Sequence, residues 1–410
     1  MLSLRATNKL KILNDPIYGF ITIPSPLVFD LIQHPFFQRL RRISQMGLSY
    51  LVYPGAHHTR FHHALGCMFL MQKAIQTLRS KGVEINEKEE EGLLIAILLH
   101  DIGHGPFSHA MENSIVNKVN HESISLLFMQ RLNKEFNGSL TTAIQIFKGT
   151  YPKKFMNQLV SGQLDLDRTD YLKRDSFYTG VAEGNINADR IINMLNVQEG
   201  NLVVEEKGIY SVEKFLVARR LMYWQVYLHK TGIAAEQILI RILKRAKELV
   251  GSGHTIKASS PLLFFLTNKI DPESFNYPEL EIFSRLDDYD VMSAIKEWQY
   301  FDDIVLSELS KMILNRDLPS IKLKNNKPKP EKMEIYRELA REKYRVDDHL
   351  LPYFVFNGVI ENQAYNKEKQ NVLICFKNGK IKDITEASDQ LNLLALSKPV
   401  TKYYICYPKV

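Results

Sequence analysis

Histidines and aspartates recur in three short segments of this sequence, and their types and spacing suit a metal ion. Residues 60–66 read Arg-Phe-His-His-Ala-Leu-Gly, residues 100–109 contain three histidines and open with a His-Asp pair, and residues 165–175 contain four aspartates. Imidazole and carboxylate groups together suit a borderline or hard divalent ion with open coordination positions. Structural zinc sites more often use thiolates, and Cys67, Cys375 and Cys406 lack the spacing of a paired-cysteine motif.

The segments that must position these residues read as helices. Apolar residues recur with helical spacing from residue 25 to about residue 250, after an extended stretch at residues 19–24. Asn86 and Glu89 fit a capping box that opens an apolar helix ending at His100. The glycines and the proline at 103–106 then predict a break, which would turn His109 back toward His100. Residues 211–250 read as one long helical segment, rich in arginine and aromatic residues.

The character of the sequence changes near residue 330. The lysine-rich stretch 322–332, with two prolines, is typical of a solvated linker, and a short helix is predicted over 331–345. Strand-like runs follow at 353–356, 371–376 and 403–407, and Asn378-Gly379 is a hairpin signal. We therefore predict a mainly α fold, with a large helical domain over residues 1–329 and a small α/β region over residues 330–410.

Composition and charge exclude some classes of protein. Of 410 residues, 45% are hydrophobic and 24% charged, which excludes a disordered or collagen-like chain. The net charge of +7 favours anionic partners such as nucleotides or nucleic acid, although a charge this small could equally serve solubility alone. Three cysteines, no signal-peptide pattern in residues 1–10 and no apolar run of about 20 residues predict a cytoplasmic protein that does not enter the membrane.

The order of the histidines and aspartates resembles that of the HD-domain phosphohydrolases. Within that family, the longer match is similar to the deoxynucleoside triphosphate (dNTP) triphosphohydrolases, which include bacterial dGTPase-like enzymes and enzymes that join a SAM domain to an HD domain. The match covers about the first 250 residues and lies in segments 14–19, 37–41, 54–56, 60–66, 100–109, 121–122, 165–175 and 227–230. Because it begins within the first 15 residues, we expect no SAM domain ahead of it. The resemblance implies an HD-domain core for the predicted helical domain.

The resemblance also implies a set of metal ligands. The family's pattern places one ligand immediately before Ala64-Leu65-Gly66, which selects His63. The adjacent His62 is then an exposed neighbour, and the alternative is that His62 is the ligand. A divalent cofactor is implied, with Mn, Fe, Mg and Zn as candidates. The implied ligands are His63, His100, Asp101 and Asp167.

Four further residues are implied to take part in catalysis. His104, His109 and His121 match family histidines around the scissile phosphate, and His109 resembles the proposed general acid. Glu122 follows His121 as a supporting carboxylate. The competing interpretation of His121 is a histidine at a helix N-terminus that is satisfied by its neighbours.

The implied substrate contacts fall into three groups. Arginines match the phosphate-contacting positions, and their competing interpretation is exposed helix charge; they are Arg60, Arg168 and Arg219. Gln45 and Asp175 match residues that bond the 3′-hydroxyl, and Tyr227 matches the ring that crowds the 2′ position. The pocket is completed by Met46, where leucine is common, by Tyr223, where the vertebrate enzymes have histidine, and by Tyr171, which equally suits core packing. On a helix, Asp167, Tyr171 and Arg174 share one face.

The family often forms oligomers that nucleotides activate at subunit contacts. A dimer or tetramer is therefore implied, and the residues that resemble parts of the activator pockets are Lys11, Asn14, Gln38, Arg41, His229 and Lys230. Gln33 stands where an aspartate reads guanine in the vertebrate enzymes, which argues against guanine-dependent activation.

The function implied by the resemblance is metal-dependent hydrolysis of dNTPs to deoxynucleoside and inorganic triphosphate. Water would attack the α-phosphorus, and His109 would protonate the leaving 5′-oxygen. One alternative is a nucleotidase of the HD type, which the implied triphosphate contacts disfavour. Another is a nucleic-acid-binding protein with a vestigial site, which the presence of all four ligand positions disfavours.

Overall fold

The fold is given by a computed structural model. It describes residues 11–107, 109–112, 114, 119–367, 370–390, 393 and 396–409, and the side chains of His109 and Glu112 lie outside that description. Every helix in these ranges is too short or too polar to cross a membrane. Cys67, Cys375 and Cys406 are free thiols. The cytoplasmic location stays a prediction.

Helices dominate the chain, which confirms the predicted mainly α class. The first half contains α1 (Pro26–Gln33), α2 (Pro35–Gln38), α3 (Arg60–Ser80), α4 (Glu87–Leu99), α5 (His109–Glu112), α6 (His121–Glu135), α7 (Thr141–Phe147), α8 (Lys154–Val160) and α9 (Leu166–Thr179). The second half contains α10 (Ala188–Asn193), α11 (Ile209–Met222), α12 (Lys230–Gly251), α13 (Ser260–Thr267), α14 (Tyr277–Phe283), α15 (Asp288–Trp298), α16 (Ile304–Leu314), α17 (Pro330–Tyr344), α18 (Leu351–Phe354) and α19 (Ile384–Ala387). Single 3₁₀ segments lie at 39–42, 47–51, 182–184 and 206–208.

The strands form three small sheets. They are β1 (Ile12–Asp15), β2 (Gly19–Thr22), β3 (Leu195–Gln198), β4 (Asn201–Glu205), β5 (Ser320–Lys324), β6 (Phe356–Asn362), β7 (Leu373–Cys375), β8 (Ile381–Asp383) and β9 (Val400–Tyr407). β1 and β2 make an antiparallel hairpin that opens the described chain, with Asp15 opposite Gly19. The order in the second sheet is β3-β4-β7-β8 and in the third β5-β9-β6.

The core lies around α3 and α4. The predicted capping box is confirmed, because Glu89 N donates to Asn86 Oδ1 and Asn86 N donates to Glu89 Oε2, each at 2.9 Å. The run from Leu93 to Leu99 is buried on all sides, and burial of each large apolar side chain contributes about 1.5–3 kcal/mol relative to exposure. α3 packs on both α4 and α9. The three segments that carry the histidines and aspartates are thereby brought together.

The C-terminal region confirms some predictions and corrects others. The helix at 330–344, the strands at 373–375 and 400–407, and the hairpin with Gly379 at φ +81° match expectation. The predicted strand at 353–356 is wrong for most of its length, because α18 covers 351–354 and Pro352 suits a first helical turn. The predicted linker is wrong at its start, where residues 322–324 pair with β9. The division at residue 330 stays a prediction, and the second and third sheets take strands from both sides of it.

The helical segment predicted over 211–250 is interrupted. α11 ends at Met222, residues 223–227 form a π-helical turn, and α12 begins at Lys230. The side chain of His229 caps the new helix, because its Nδ1 accepts a hydrogen bond from Thr231 N at 3.3 Å. The interruption gives Tyr223 and Tyr227 positions that one continuous helix would not give them.

Gly66 of α3 lies directly against two side chains of α9. A Cβ at this position would lie 2.1 Å from Asp170 Oδ1 and 2.2 Å from Arg174 Nη2. Both of those side chains belong to α9 and are fully buried. Glycine is therefore required here by space.

We expect Gly66→Ala to destabilise the protein by about 2 kcal/mol or more, because the buried Asp170–Arg174 pair must shift. Alanine is otherwise the better helix former by up to about 1 kcal/mol. The matched control is Gly232→Ala in α12, where the new Cβ meets nothing within 4 Å. Urea denaturation followed by circular dichroism measures both changes, and equal stability of the two variants would contradict the steric argument.

Candidate metal centre and adjoining pocket

Two histidines and an aspartate from three helices converge in the interior. His63 lies in the first turn of α3, His100 directly follows α4, and Asp167 lies in the first turn of α9. Asp167 Oδ1 lies 3.2 Å from His63 Nε2 and 3.5 Å from His100 Nε2. The three were predicted as metal ligands, and the structure places them together.

Asp101, the fourth predicted ligand, borders the same cluster. One of its oxygens lies 3.5 Å from His100 Nε2 and 3.3 Å from His104 Nε2, and the other lies 3.8 Å from His63 Nε2. Arg60 Nη1 donates a short hydrogen bond to Asp101 Oδ2. An arginine of the predicted phosphate-binding set thus contacts the cluster directly.

Neighbouring groups direct the Nε2 atom of each histidine into the cluster. His63 Nδ1 lies 2.8 Å from Asp170 Oδ2, and because an ionised carboxylate only accepts, Nδ1 donates. His100 Nδ1 likewise donates to the carbonyl oxygen of Ile97 at 2.6 Å. A carboxylate or carbonyl behind the ring is the usual arrangement of a metal-binding histidine. Sequence reasoning missed Asp170, although it belongs to the aspartate-rich segment.

The donor set fits a divalent metal ion. Within the described ranges, the buried Nε2 atom of His100 has no hydrogen-bond partner, which leaves its lone pair for an ion. The donor atoms of His63, His100 and Asp167 lie within 4.8 Å of one another, and Cys67 Sγ lies in the same group. Burial raises the pKa of the Cys67 thiol, so it stays protonated, and the thiol is not the form that binds metals. Sequence reasoning missed Cys67, which follows His63 by one helical turn.

The electrostatics of the cluster keep its two ligand carboxylates ionised. Burial opposes ionisation of Asp101, but His100, His104 and Arg60 hold its pKa well below the usual range. Burial similarly opposes ionisation of Asp167, whose pKa the two ligand histidines lower. For His63, burial is outweighed by the hydrogen bonds with Asp167 and Asp170, which raise its pKa well above the ordinary value. The carboxylates of Asp101 and Asp167 are therefore ionised at neutral pH, as metal ligation requires.

His104 and His121 form a second group beside Asp101. Their rings stack with centroids 3.9 Å apart and planes 16° apart, so the two planes cannot both contain one ligated ion. Burial and the nearby Arg60 lower the pKa of His104 to about 3, so its imidazole is neutral at neutral pH. These two histidines suit hydrogen bonding to a ligand better than they suit metal binding.

The structure shows less about the other two predicted catalytic residues, His109 and Glu122. His109 begins α5, and its side chain lies outside the described residues. Glu122 is exposed in the first turn of α6, where a carboxylate interacts favourably with the helix dipole. The catalytic roles of both stay predictions. His62 is half-buried rather than exposed, and its Nδ1 accepts a hydrogen bond from Thr59 N at 3.2 Å.

A cavity of about 380 Å³ adjoins the cluster at Arg60. Seven of the nine predicted substrate residues line it: Gln45, Met46, Arg60, Tyr171, Asp175, Tyr223 and Tyr227. The lining residues that sequence reasoning missed include Phe107, Leu228, Gly232, Glu236 and Leu239. Gly232, Glu236 and Leu239 lie on α12, and the sequence motif at 227–230 includes only the first residue of that helix.

Asp175 is held from both sides at the wall of the cavity. His58 Nε2 donates to its Oδ1 and the Tyr227 hydroxyl donates to its Oδ2, both at 2.7 Å. The His58 ring stacks on Tyr178 at 4.4 Å and is buried. Sequence reasoning missed His58, because it precedes Arg60 at a spacing that matches no ligand rule.

The remaining predicted arginines lie beside the cavity. Arg168 forms a salt bridge with Asp165, the N-cap residue of α9, and Arg219 Nη1 donates to Gln163 Oε1 at 3.2 Å. Neither is an exposed helix charge. Arg174, expected on one face of α9 with Asp167 and Tyr171, is fully buried and pairs with Asp15 and Asp170, while Asp167 lies in the cluster and Tyr171 lines the cavity.

The six residues that resemble activator positions occupy several places. Lys11 lies 4.8 Å from the centre of the Phe29 ring, and Asn14 is exposed on β1. Arg41 Nε donates to Gln38 Oε1 at 2.9 Å. His229 and Lys230 are at the start of α12. Their role in activation stays a prediction.

Comparisons with known proteins agree with this geometry. The sequence model of the HD domain matches residues 60–175, and that of an HD associated region matches residues 186–258. A solved structure described as a phosphohydrolase from Bacteroides thetaiotaomicron VPI-5482 is 52% identical, with a TM-score of 0.95 over 98% of this chain and 100% of that one. The uncharacterized protein YwfO of Bacillus subtilis is 32% identical over 97% of this chain and 92% of its own length.

A more distant relative has a named reaction. The deoxynucleoside triphosphate triphosphohydrolase SAMHD1 of Danio rerio is 26% identical over 334 residues, which are 70% of this chain. The match covers 51% of that protein. Only about half of this relative is therefore comparable with the present chain.

We expect metal binding to tighten as the pH rises. Neighbouring carboxylates raise the pKa of both His63 and His100 above the ordinary value, even though burial opposes this. A metal ion must displace the proton from the ligating nitrogen of each ring, so affinity is lost as the pH falls through the raised pKa values. Mn²⁺ affinity should rise about tenfold per pH unit for each proton released. Calorimetry in buffers of different ionisation enthalpy measures that release, and an affinity independent of pH would contradict the prediction.

Proposed function

Because the chain belongs to the HD-domain phosphohydrolase family, we propose that it hydrolyses dNTPs to deoxynucleoside and inorganic triphosphate. The observation that carries this proposal is the cavity beside the metal cluster, which combines Arg60 with the side chains of Asp175 and Tyr227. A guanidinium suits phosphate, and a carboxylate–tyrosine pair suits a sugar hydroxyl. One cavity therefore offers both kinds of contact that a nucleotide needs.

The cofactor of this domain is a divalent metal ion, and we assign His63, His100, Asp101 and Asp167 as the residues that would hold it. When bound, such an ion supplies Lewis-acid stabilisation of phosphoryl charge. Its identity among Mn, Fe, Mg and Zn stays open to the metal panel described below. Asp170 and the carbonyl of Ile97 orient the two histidines toward it.

Basic side chains around the cluster would bind the triphosphate. Arg60 lies between the metal cluster and the cavity, since it contacts Asp101 and lines the cavity wall. Arg168 and Arg219 are partly shielded from solvent, which strengthens their interaction with phosphate oxygens, and Arg219 lies 6.0 Å from the ring centre of Tyr223 in the cavity wall. Of these three, Arg60 is the residue best placed to contact the scissile phosphate.

The leaving 5′-oxygen needs a proton, and His109 is the proposed donor. His104 is a poor candidate, because its lowered pKa leaves the ring neutral at neutral pH, and a neutral imidazole is a very weak acid. The backbone of His109 follows Phe107 closely and precedes Ala110, and both of these line the cavity. The chain therefore passes the cavity at His109, and His121 would contribute a hydrogen bond to the substrate.

Sugar selection is assigned to Asp175, Gln45 and Tyr227 in the wall of the same cavity. Asp175, with Gln45, would bond the 3′-hydroxyl, and the Tyr227 ring would crowd the 2′ position. Tyr171 and Tyr223 both pack against Tyr227, with ring centroids 6.0 and 5.1 Å away. This packing limits movement of the Tyr227 ring. Steric exclusion of ribose requires a ring that is held in place.

Assembly and regulation extend the proposal. The named reaction of the Danio rerio relative supports the dNTP substrate. We infer a homo-oligomer in which nucleotide-dependent contacts are made by Lys11, Asn14, Gln38, Arg41, His229 and Lys230. Nucleic acid remains an alternative partner on the basis of net charge alone. Light scattering with and without dNTPs tests the assembly.

We expect a panel of dNTPs with Mn²⁺, Fe²⁺, Mg²⁺ and Zn²⁺ to yield deoxynucleoside and triphosphate as initial products in equal amounts. Chromatographic separation of products distinguishes this from monophosphate plus pyrophosphate, or from turnover of monophosphates alone, and either of those results would contradict the proposal. Asp167→Ala should abolish turnover because it removes a ligand. The control is Asp189→Ala, an exposed aspartate on α10 that is paired with Lys73.

We expect Tyr227→Ala to reduce the preference for dATP over ATP by about tenfold or more, because the ring that excludes the 2′-hydroxyl is gone. Tyr227→Phe keeps the ring and loses only the hydrogen bond to Asp175, so it should keep the preference. Steady-state rates on dATP and ATP measure the ratio. A loss of preference in the Phe variant equal to that in the Ala variant would assign discrimination to the hydroxyl instead.

A further inference from the structure

A buried chain of polar contacts links the N-terminal hairpin to His63. Asp15, at the end of β1, accepts a hydrogen bond from Arg174 Nη1 at 2.8 Å through Oδ2. Arg174 then donates to both oxygens of Asp170, through Nε at 2.8 Å and Nη2 at 3.0 Å. Asp170 Oδ2 in turn accepts from His63 Nδ1 at 2.8 Å.

Every member of this chain is shielded from solvent. His63, Asp170 and Arg174 are fully buried, and Asp15 is 6% exposed. Gly66 leaves the space that the Asp170–Arg174 pair occupies against α3. A hydrogen-bonded ion pair that is removed from water holds its geometry more strictly than a surface pair does.

The orientation of His63 follows from this chain. The two-point contact with Arg174 fixes the plane of the Asp170 carboxylate, and Asp170 Oδ2 then fixes Nδ1 of His63 as a donor. The Nε2 atom is left facing Asp167 Oδ1 at 3.2 Å. Arg174 is itself fixed by Asp15 at the end away from Asp170. The series of contacts that orients His63 therefore begins at the β1–β2 hairpin.

We propose that Asp15 and Arg174 are positioning residues for the metal centre, and that the seating of the β1–β2 hairpin sets how tightly His63 holds the metal ion. The turn from Asp15 to Gly19 then has a function beyond joining two strands. Asp15 Oδ1 accepts from the backbone N–H groups of Ile17 and Tyr18 at 2.9 and 3.0 Å, so the same carboxylate shapes the turn and anchors Arg174. A ligand or partner that moved this hairpin would change metal affinity.

The inference depends on the metal centre of the proposed function and not on its nucleotide chemistry. Metal binding alone therefore tests it. The probe is Mn²⁺, titrated into metal-free protein without nucleotide, with free Mn²⁺ measured by electron paramagnetic resonance. If the protein binds Mn²⁺ but does not hydrolyse dNTPs, that result counts against the proposed function. The Mn²⁺ titration still tests the present proposal.

The informative variant is Asp15→Asn. Asparagine keeps the Oδ1 acceptor that shapes the turn. Its amide nitrogen, which is a donor, then faces Arg174, which is also a donor, so the hydrogen bond between them is lost. We expect the Mn²⁺ dissociation constant to rise about tenfold, the lower end of the range for residues behind a metal ligand. Asp170→Asn, one step closer to His63, should raise it by up to about 100-fold.

The matched control is Asp303→Asn. Asp303 makes a two-point contact with Arg245, at 2.6 and 3.1 Å, and its Oδ1 also caps α16 by accepting from Leu306 N. This substitution removes a comparable shielded ion pair between α12 and α16. It should lower thermal stability and leave the Mn²⁺ dissociation constant unchanged.

A second readout separates positioning from general loosening of the fold. In Zn²⁺-loaded protein, long-range proton–nitrogen NMR reports whether Nδ1 of His63 carries the hydrogen, and Asp15→Asn should weaken that signal while Asp303→Asn preserves it. Parental Mn²⁺ affinity in Asp15→Asn, or equal losses in Asp15→Asn and Asp303→Asn, would overturn the proposal. If Asp15→Asn fails to fold, Arg174→Lys decides by the same criteria, because its single ammonium group cannot bridge both carboxylates.

Discussion

The structure depends on burying several carboxylates beside two histidines without leaving any charge uncompensated. An unpaired buried carboxylate costs several kcal/mol, so each one needs a cationic partner of its own. Arg60 pairs with Asp101, and Arg174 pairs with Asp170. Among the described residues, the ion pairs of Asp167 are with the imidazoles of His63 and His100 and not with an arginine or lysine. That difference marks the point at which a divalent cation completes the balance of charge.

The same constraint determines how the helices must pack. The cluster needs side chains from α3, α4 and α9 within a few ångströms, and only apolar packing around it can exclude water. The run Leu93–Leu99 supplies that packing and places His100 and Asp101 at its end. Gly66 then permits the Asp170–Arg174 pair to lie directly against the α3 backbone. Each of these local features is therefore a requirement of the charged cluster.

The parts that the sequence predicts are those with local causes. The capping box at Asn86 and the hairpin at Gly379 follow from short-range rules, and the four ligand positions follow from family spacing. By contrast, Asp15 and Arg174 are 159 residues apart, and no spacing rule joins them before the chain folds. His58 was missed for the same reason, since its partner Asp175 lies 117 residues away. The linker at 322–332 was predicted from composition, but its alternating Ile321 and Leu323 pair with β9 once that strand is present.

The π-helical turn at 223–227 shapes the cavity independently of the metal cluster, so substitutions can affect one without affecting the other. A π turn shifts the helical register, and such turns often occur at functional sites. Here it precedes the break at His229, so the Tyr227 hydroxyl reaches Asp175 while α12 starts in a new direction that brings Gly232 and Glu236 to the cavity. None of these residues belongs to the ion pairs that hold the metal ligands. Changes in this turn should therefore alter the shape of the cavity wall around Asp175, while the charges around His63 keep their own partners.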